Sequence, residues 1–170
     1  MVSVESIAIV VTDSNILINL AYINRLSLLD QLPPFSFVVP HEVIKEITDV
    51  AQSELVQGAL NSGSLKQVQL HSIAELQIYA QLVRTLGSGE ATCLALAESR
   101  GWLIASDEKR KFYREATVRL GKDRIINTAG ILLKAIKLNV LNVDEADGAK
   151  ALLEQRRFIM KFTSFRDLLK

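Results

Sequence analysis

The sequence predicts an α/β fold: a three-layer α/β/α sandwich around a mostly parallel central sheet, with additional helices at the C-terminal end. Two observations carry this. Short apolar runs and stretches of helical periodicity alternate five times along the chain, as in repeated strand–helix–strand units. The clearest runs also end in polar residues suited to starting a helix. Ile7-Ala8-Ile9-Val10-Val11 precedes Thr12-Asp13-Ser14, and Trp102-Leu103-Ile104-Ala105 precedes Ser106-Asp107. At 170 residues the chain is long enough to bury roughly two-thirds of its unfolded surface without staples.

The first strand is expected over about residues 6–12, followed by a helix through Asn15-Ile16-Leu17-Ile18-Asn19-Leu20. Pro33-Pro34 breaks the chain after this helix, and Phe35 to Val39 reads as a second strand. Pro40 suits a first helical position, and a helix is expected from there towards Gly58, with Val43, Ile44, Ile47, Val50 and Leu55 on its apolar side. Asn61-Ser62-Gly63-Ser64 is a turn and Leu65 to Leu70 a short edge strand. Helices are expected over about 73–86 and from a Ser88 cap to Gly101, where a left-handed C-cap fits. After strand 102–105 come an amphipathic helix with Phe112, Tyr113, Ala116 and Val118, a last strand at Arg124-Ile125-Ile126, and a helix over 129–138. Ala149, Leu152, Leu153, Phe158, Ile159, Phe162, Phe165, Leu168 and Leu169 predict two more helices. This divides the chain into a domain over 1–140 and a helical extension over 141–170 packed on it.

No apolar stretch reaches the ~18 residues needed to cross a bilayer, and Glu5 stands where a secretory signal carries positive charge, so a cytoplasmic protein is expected. The single cysteine, Cys93, excludes an internal disulfide, and neither His41 nor His71 stands at a zinc-like spacing from it. A hydrophobic share of 49% and a mean hydropathy of +0.21 hint at surface covered by a second subunit or partner. Net charge is only +1, so affinity for a polyanion needs a local patch. Lys109, Arg110, Lys111, Arg114, Arg119, Lys122 and Arg124 form one, against only Glu115 and Asp123. Lys109, Arg110 and Arg114 are the candidate phosphate contacts, although such a run is more often a solvated helix surface.

The most informative residues are acids. Asp13, Glu90 and Asp107 fall where helices start, and singly each is more often a helix-start residue than a catalyst. Neighbouring hydroxyls at Thr12, Ser14, Ser88 and Ser106 can supply the capping, which leaves the carboxylates redundant as caps. In a parallel sheet all three converge on the crevice at the carboxyl ends of the strands. Mutual repulsion there calls for a cation, and hard oxygen donors suit Mg²⁺ or Mn²⁺, one ion or two. A fourth acid, Glu46, shares its helical face with Glu42, and spacing alone does not choose between them. Ser14, Asn15, Asn127 and Thr128 face the same rim, with plain capping the ordinary role for Ser14 and Asn127.

Four segments resemble the PIN domain, a metal-dependent ribonuclease family that includes VapC-type toxins: Val11-Thr12-Asp13-Ser14-Asn15-Ile16-Leu17-Ile18-Asn19-Leu20, Val39-Pro40-His41-Glu42-Val43-Ile44-Lys45-Glu46, Gly89-Glu90-Ala91-Thr92-Cys93-Leu94-Ala95-Leu96-Ala97, and Leu103-Ile104-Ala105-Ser106-Asp107. The resemblance covers about residues 5–140 and extends to Asn127-Thr128-Ala129-Gly130-Ile131-Leu132. It selects Glu46 through the pattern Pro40, Val43, Glu46. Two positions depart from it: Glu90 stands where many relatives have Asp, and a further acid after Asp107 has only Glu108 to supply it. The resemblance implies an RNA substrate, a homodimer and an antitoxin partner. The expected reaction is in-line hydrolysis of an RNA phosphodiester, with Asp13, Glu90 and Asp107 as metal ligands, Glu46 completing the shell or positioning water, and Thr128 in support. The alternatives are a non-catalytic interaction module on the same fold, and a phosphatase or phosphotransferase using Asp13 as nucleophile. The latter wants an acid two residues on, where Asn15 stands.

Overall fold

The computed structural model describes residues 5–170. Strands β1 (Ala8–Thr12), β2 (Phe35–Pro40), β3 (Lys66–Val68), β4 (Leu103–Ala105) and β5 (Ile125–Ile126) form one sheet in the order β3-β2-β1-β4-β5, every pair parallel. In β1, Val10, Val11 and Thr12 are all fully buried. Successive residues of a strand point to opposite faces, so both faces of the sheet are covered, as an all-parallel sheet requires.

The covering helices are α1 (Ser14–Tyr22), α2 (His41–Glu46), α3 (Val50–Ser62), α4 (Ile73–Leu82), α5 (Ser88–Arg100), α6 (Lys111–Leu120), α7 (Thr128–Lys137) and α8 (Val143–Gln155). α5 lies on β1, β2 and β4 between α4 and α6, while α1 packs with α3 and α7, and α8 packs on α7. α5 is buried on all sides from Ala91 to Ala97, and its small residues Ala91, Ala95 and Ala97 let it approach the sheet closely. Cys93 is one of these buried residues, its thiol directed at the Thr12 carbonyl 3.8 Å away. Gly101 ends α5 at φ 69°, the left-handed conformation expected there.

Three elements differ from expectation. The helix predicted from Pro40 to Gly58 is two helices, because Asp49 accepts the Gln52 N–H and starts α3 anew; Val50 and Leu55 are consequently exposed. Helix α4 ends at Leu82 rather than near 86. The C-terminal tail holds one α-helix and a 3₁₀ turn over Phe165–Leu168, not two α-helices. Arg157 adopts φ 67°, and Asp147 on α8 accepts hydrogen bonds from Ser164 Oγ at 2.6 Å and Phe165 N at 2.8 Å. These contacts, with the edge-on pair Phe162–Phe165 at 4.9 Å, fold the tail back in place of a helix.

One long-range latch fixes α4 against α5. The Arg100 guanidinium donates to both Glu75 oxygens, at 2.6 and 3.2 Å, and to the Gln69 carbonyl at 3.0 Å, and it lies over the Trp102 ring. Glu75 is also the last member of the Ser72 capping box. The hydrogen bond from Arg100 holds the buried Glu75 carboxyl down at about 2.

Candidate functional site

The parallel register aligns the carboxyl ends of β1, β2, β4 and β5, and the polar residues that come after each strand meet at that rim. Asp13 follows β1, Glu42 and Glu46 lie on the short helix after β2, Asp107 follows β4, and Asn127 and Thr128 follow β5. Because α5 leads back into β4, its first turn returns to the same rim and brings Gly89 and Glu90 there.

Asp13 is almost fully buried. It accepts Ser14 N at 2.8 Å on Oδ1 and Ser106 Oγ at 3.2 Å on Oδ2. Burial is the chief cause that lifts its pKa to about 7, only partly offset by the Ser14 N–H, and the charges of Glu46, Glu90 and Glu108 lift it further. Glu90 is raised by its own burial, against the Gly87 N–H that it accepts at 3.1 Å, and again by Glu108 and Glu46. Glu46 is exposed and takes the Ser14 hydroxyl on Oε2 at 2.8 Å. Its other oxygen lies so near the α5 backbone that a Cβ at Gly89 would sit 2.2 Å from it. Glycine is what lets the Glu46 carboxylate lie this close to α5.

Asp107 looks the other way. Its carboxylate accepts Thr128 N at 2.8 Å, the Thr128 hydroxyl, and Asn19 Nδ2 at 2.9 Å. Burial raises its pKa, and Thr128 and Asn19 oppose the rise, with help from Lys109. The acids that act on Asp13 are therefore Glu46, Glu90 and Glu108, with Asp107 held beside them at the start of α7. Glu108 is steered in by Asn15 Nδ2 at 2.9 Å, while Asn15 Oδ1 receives Asp107 N.

The hydroxyls do not relieve the carboxylates of capping. Asp13 itself is the N-cap of α1, Glu90 reaches back to Gly87, the residue that precedes α5 in place of the expected Ser88, and Asp107 takes an orphan donor of α7. Asn127 caps α7 through Gly130 N, as expected. Ser14 and Ser106 instead bind acids, and Asn19 joins Asp107 to Thr128, its amide 3.4 Å from the Thr128 hydroxyl. Motif and spacing pass over Asn19, although a lone polar residue inside Ile16-Leu17-Ile18-Asn19-Leu20 is the signal for it. Glu42 carries a buried oxygen without a hydrogen-bond partner.

Of the basic run, Arg119 is bound to Glu98 and Glu115, and Arg124 to the Ala97 and Trp102 carbonyls. Lys109 and Arg110 are exposed beside Asp107; Arg114 is exposed on α6. Among the described residues, no three His, Cys, Asp or Glu side chains close round one point as a metal cage. The donor chemistry still suits a hard divalent cation, because the cluster is all oxygen and its carboxylates repel one another around the buried Asp13.

No curated protein and no solved structure matches the chain. A family model described as a PIN domain, DUF3368, matches residues 9–169, a span that takes in α8 and the C-terminal turn. The chain belongs to the PIN-domain family.

Proposed function

We propose that this PIN domain is a Mg²⁺- or Mn²⁺-dependent endoribonuclease that hydrolyses RNA phosphodiester bonds at the carboxylate rim. PIN domains are in general nucleases that use divalent metal ions. The observation that carries the reading here is the rim around Asp13: a buried carboxylate that faces Glu46, Glu90 and Glu108 is an arrangement that a bound cation stabilises once the acids are ionised. Asp13, Glu90 and Asp107 are the residues that would hold the ion, with Glu46 and Glu108 at its edge. When bound, the ion supplies Lewis-acid neutralisation of charge on the phosphate.

The remaining roles belong to the chain. Ser14 holds Glu46 through Oε2, which orients this carboxylate to receive the proton of the attacking water. Asn19 and Thr128 hold Asp107 in one rotamer, and Asn15 does the same for Glu108. Lys109 and Arg110 stand where a substrate phosphate approaches. A toxin acting as a homodimer under control of an antitoxin is the finer form of this reading. Its support is an exposed apolar stripe, Ile73 and Leu76 on α4 and Val83 at its C-cap.

The test is cleavage of a single-stranded RNA oligonucleotide with Mn²⁺, with EDTA, and by Asp13→Asn. Cleavage with Mn²⁺ alone and none by the variant is expected. Equal cleavage by wild type and variant, or cleavage undiminished in EDTA, refutes the reading.

A further inference from the structure

A groove of about 600 Å³ runs from the acid rim between the β4–α6 loop and the C-terminal tail. Asp107 and Glu108 line it together with the apolar Ile125, Ile126 and Ala129. Tyr113, 42% exposed, lines it from α6, and Phe158 and Ile159 line it from the tail. Three exposed cations line it, Lys109 and Arg110 from the loop and Lys161 from the tail.

We propose that this groove is a subsite for an unpaired nucleotide of single-stranded RNA next to the bond to be cut. The base lies between Tyr113 and the tail wall that presents Ile159, and its phosphate lies among Lys109, Arg110 and Lys161. The inference rests on the nuclease reading and names what that reading leaves open, which part of the substrate is held and by what.

Three features carry it. The first is charge: Arg119 and Arg124 are bound to the protein's own acceptors, so the cations left for a ligand on this side include those that line the groove. The second is the build of the outer wall. Met160 is buried while Ile159 and Lys161 are exposed, so the tail anchors every second residue in the core and presents the others outward. Asp147 pins its far end through Ser164 and Phe165. A fixed apolar and cationic wall is pre-organised for a flat ligand with a charged edge. The third is geometry: a slot with an aromatic side accepts a base that has left the stack, and a base inside a duplex does not enter it.

Binding is read by anisotropy of a fluorescein-labelled single-stranded oligoribonucleotide in EDTA, where no turnover occurs, against duplex RNA of the same sequence. Tyr113→Ala and Lys161→Glu test the two sides, Lys66→Glu on the far edge strand β3 is the control, and thermal melts confirm that each variant is folded. Tyr113→Ala is expected to weaken binding of the single strand roughly 5- to 100-fold through lost stacking. Lys161→Glu is expected to weaken it at least fivefold and to lower the salt slope by about one. Lys66→Glu is expected to bind as wild type does, and the duplex more weakly than the single strand. Wild-type binding by both groove variants overturns the proposal, and so does a failure of wild type to bind or equal binding of the duplex. Cleavage with Mn²⁺ is scored separately. Groove-dependent binding without cleavage sinks the nuclease reading and reduces the groove to a binding site for single-stranded RNA, whereas cleavage unaffected by either variant sinks the subsite alone.

Discussion

Replacing Asp13 by Asn should make the metal-free protein more stable while abolishing its chemistry. Asn keeps Oδ1 for Ser14 N and offers Nδ2 to Ser106 Oγ, so shape and capping survive. What disappears is the cost of ionising a buried carboxyl. In the folded state Asp13 binds its proton up to about pH 7, against 3.8 for the ordinary group. Between those values the folded chain holds more protons than the unfolded one, so stability falls as pH rises, and the full cost is present above about 7. At about 1.4 kcal/mol for each power of ten, that cost is up to roughly 4 kcal/mol. Urea denaturation in EDTA at pH 8 and pH 4 measures it. The variant should be stabilised at pH 8, by no more than this amount, and the two proteins should converge near pH 4. Mn²⁺ should then raise the stability of wild type and not that of the variant. A variant that is less stable than wild type at pH 8, or whose difference from it is the same at both pH values, refutes the electrostatic reasoning.

Gly89→Ala should separate fold from function: its Cβ collides only with the flexible end of Glu46, and alanine favours the helix by about 1 kcal/mol, so melting holds or rises while RNA cleavage falls at least tenfold. Arg100→Ala should cost about 3–5 kcal/mol in denaturation, because it leaves the Glu75 carboxylate buried without its cation. The same pair sets an acid limb. Glu75 is held at about 2 instead of 4.5, so its contribution, at most about 3 kcal/mol, is complete above about pH 4.5 and lost as pH falls through 2; Glu75→Gln should flatten that limb in an acid titration. Asn19→Leu removes a donor from a half-buried carboxylate and should destabilise by about 1–3 kcal/mol in urea, a change absent if Asn19 merely fills space.

The sheet and its rim are legible in the sequence because each depends on local chemistry. A strand buried on both faces is an uninterrupted apolar run such as Ile9-Val10-Val11, and helices after parallel strands start with residues that satisfy free N–H groups. The illegible parts depend on contacts distant in sequence. The spacing from Phe158 to Leu169 is helical, yet Asp147 and the Phe162–Phe165 pair override it. The apolar pattern from Val43 to Leu55 runs through a break that Asp49 makes by capping, so periodicity alone counts the exposed Val50 and Leu55 as inward. The direction of Asp107 is hidden for the same reason, since Asn19 lies 88 residues from Asp107 and 109 residues from Thr128.

That direction ranks the acids by their need for a cation. Asp107 receives three donors, two from Thr128 and one from Asn19, whereas the more deeply buried Asp13 receives two and faces Glu46, Glu90 and Glu108 as well. A carboxylate whose burial is partly offset by hydrogen bonds gains less from a metal ion than one surrounded by like charge. Asp107 then serves first to tie the β4 rim to the start of α7, and only second as a ligand. Asp107→Asn should accordingly keep Mn²⁺ affinity within about tenfold of wild type, the typical lower range for a supporting group, and should loosen α7, because Nδ2 in place of Oδ2 inverts the Thr128 hydroxyl bond and sets a donor against Asn19 Nδ2. Asp13→Asn should lose measurable Mn²⁺ binding. Calorimetric titration of the two variants decides it, and an equal loss from both would show that the hydrogen bonds to Asp107 do not substitute for a cation.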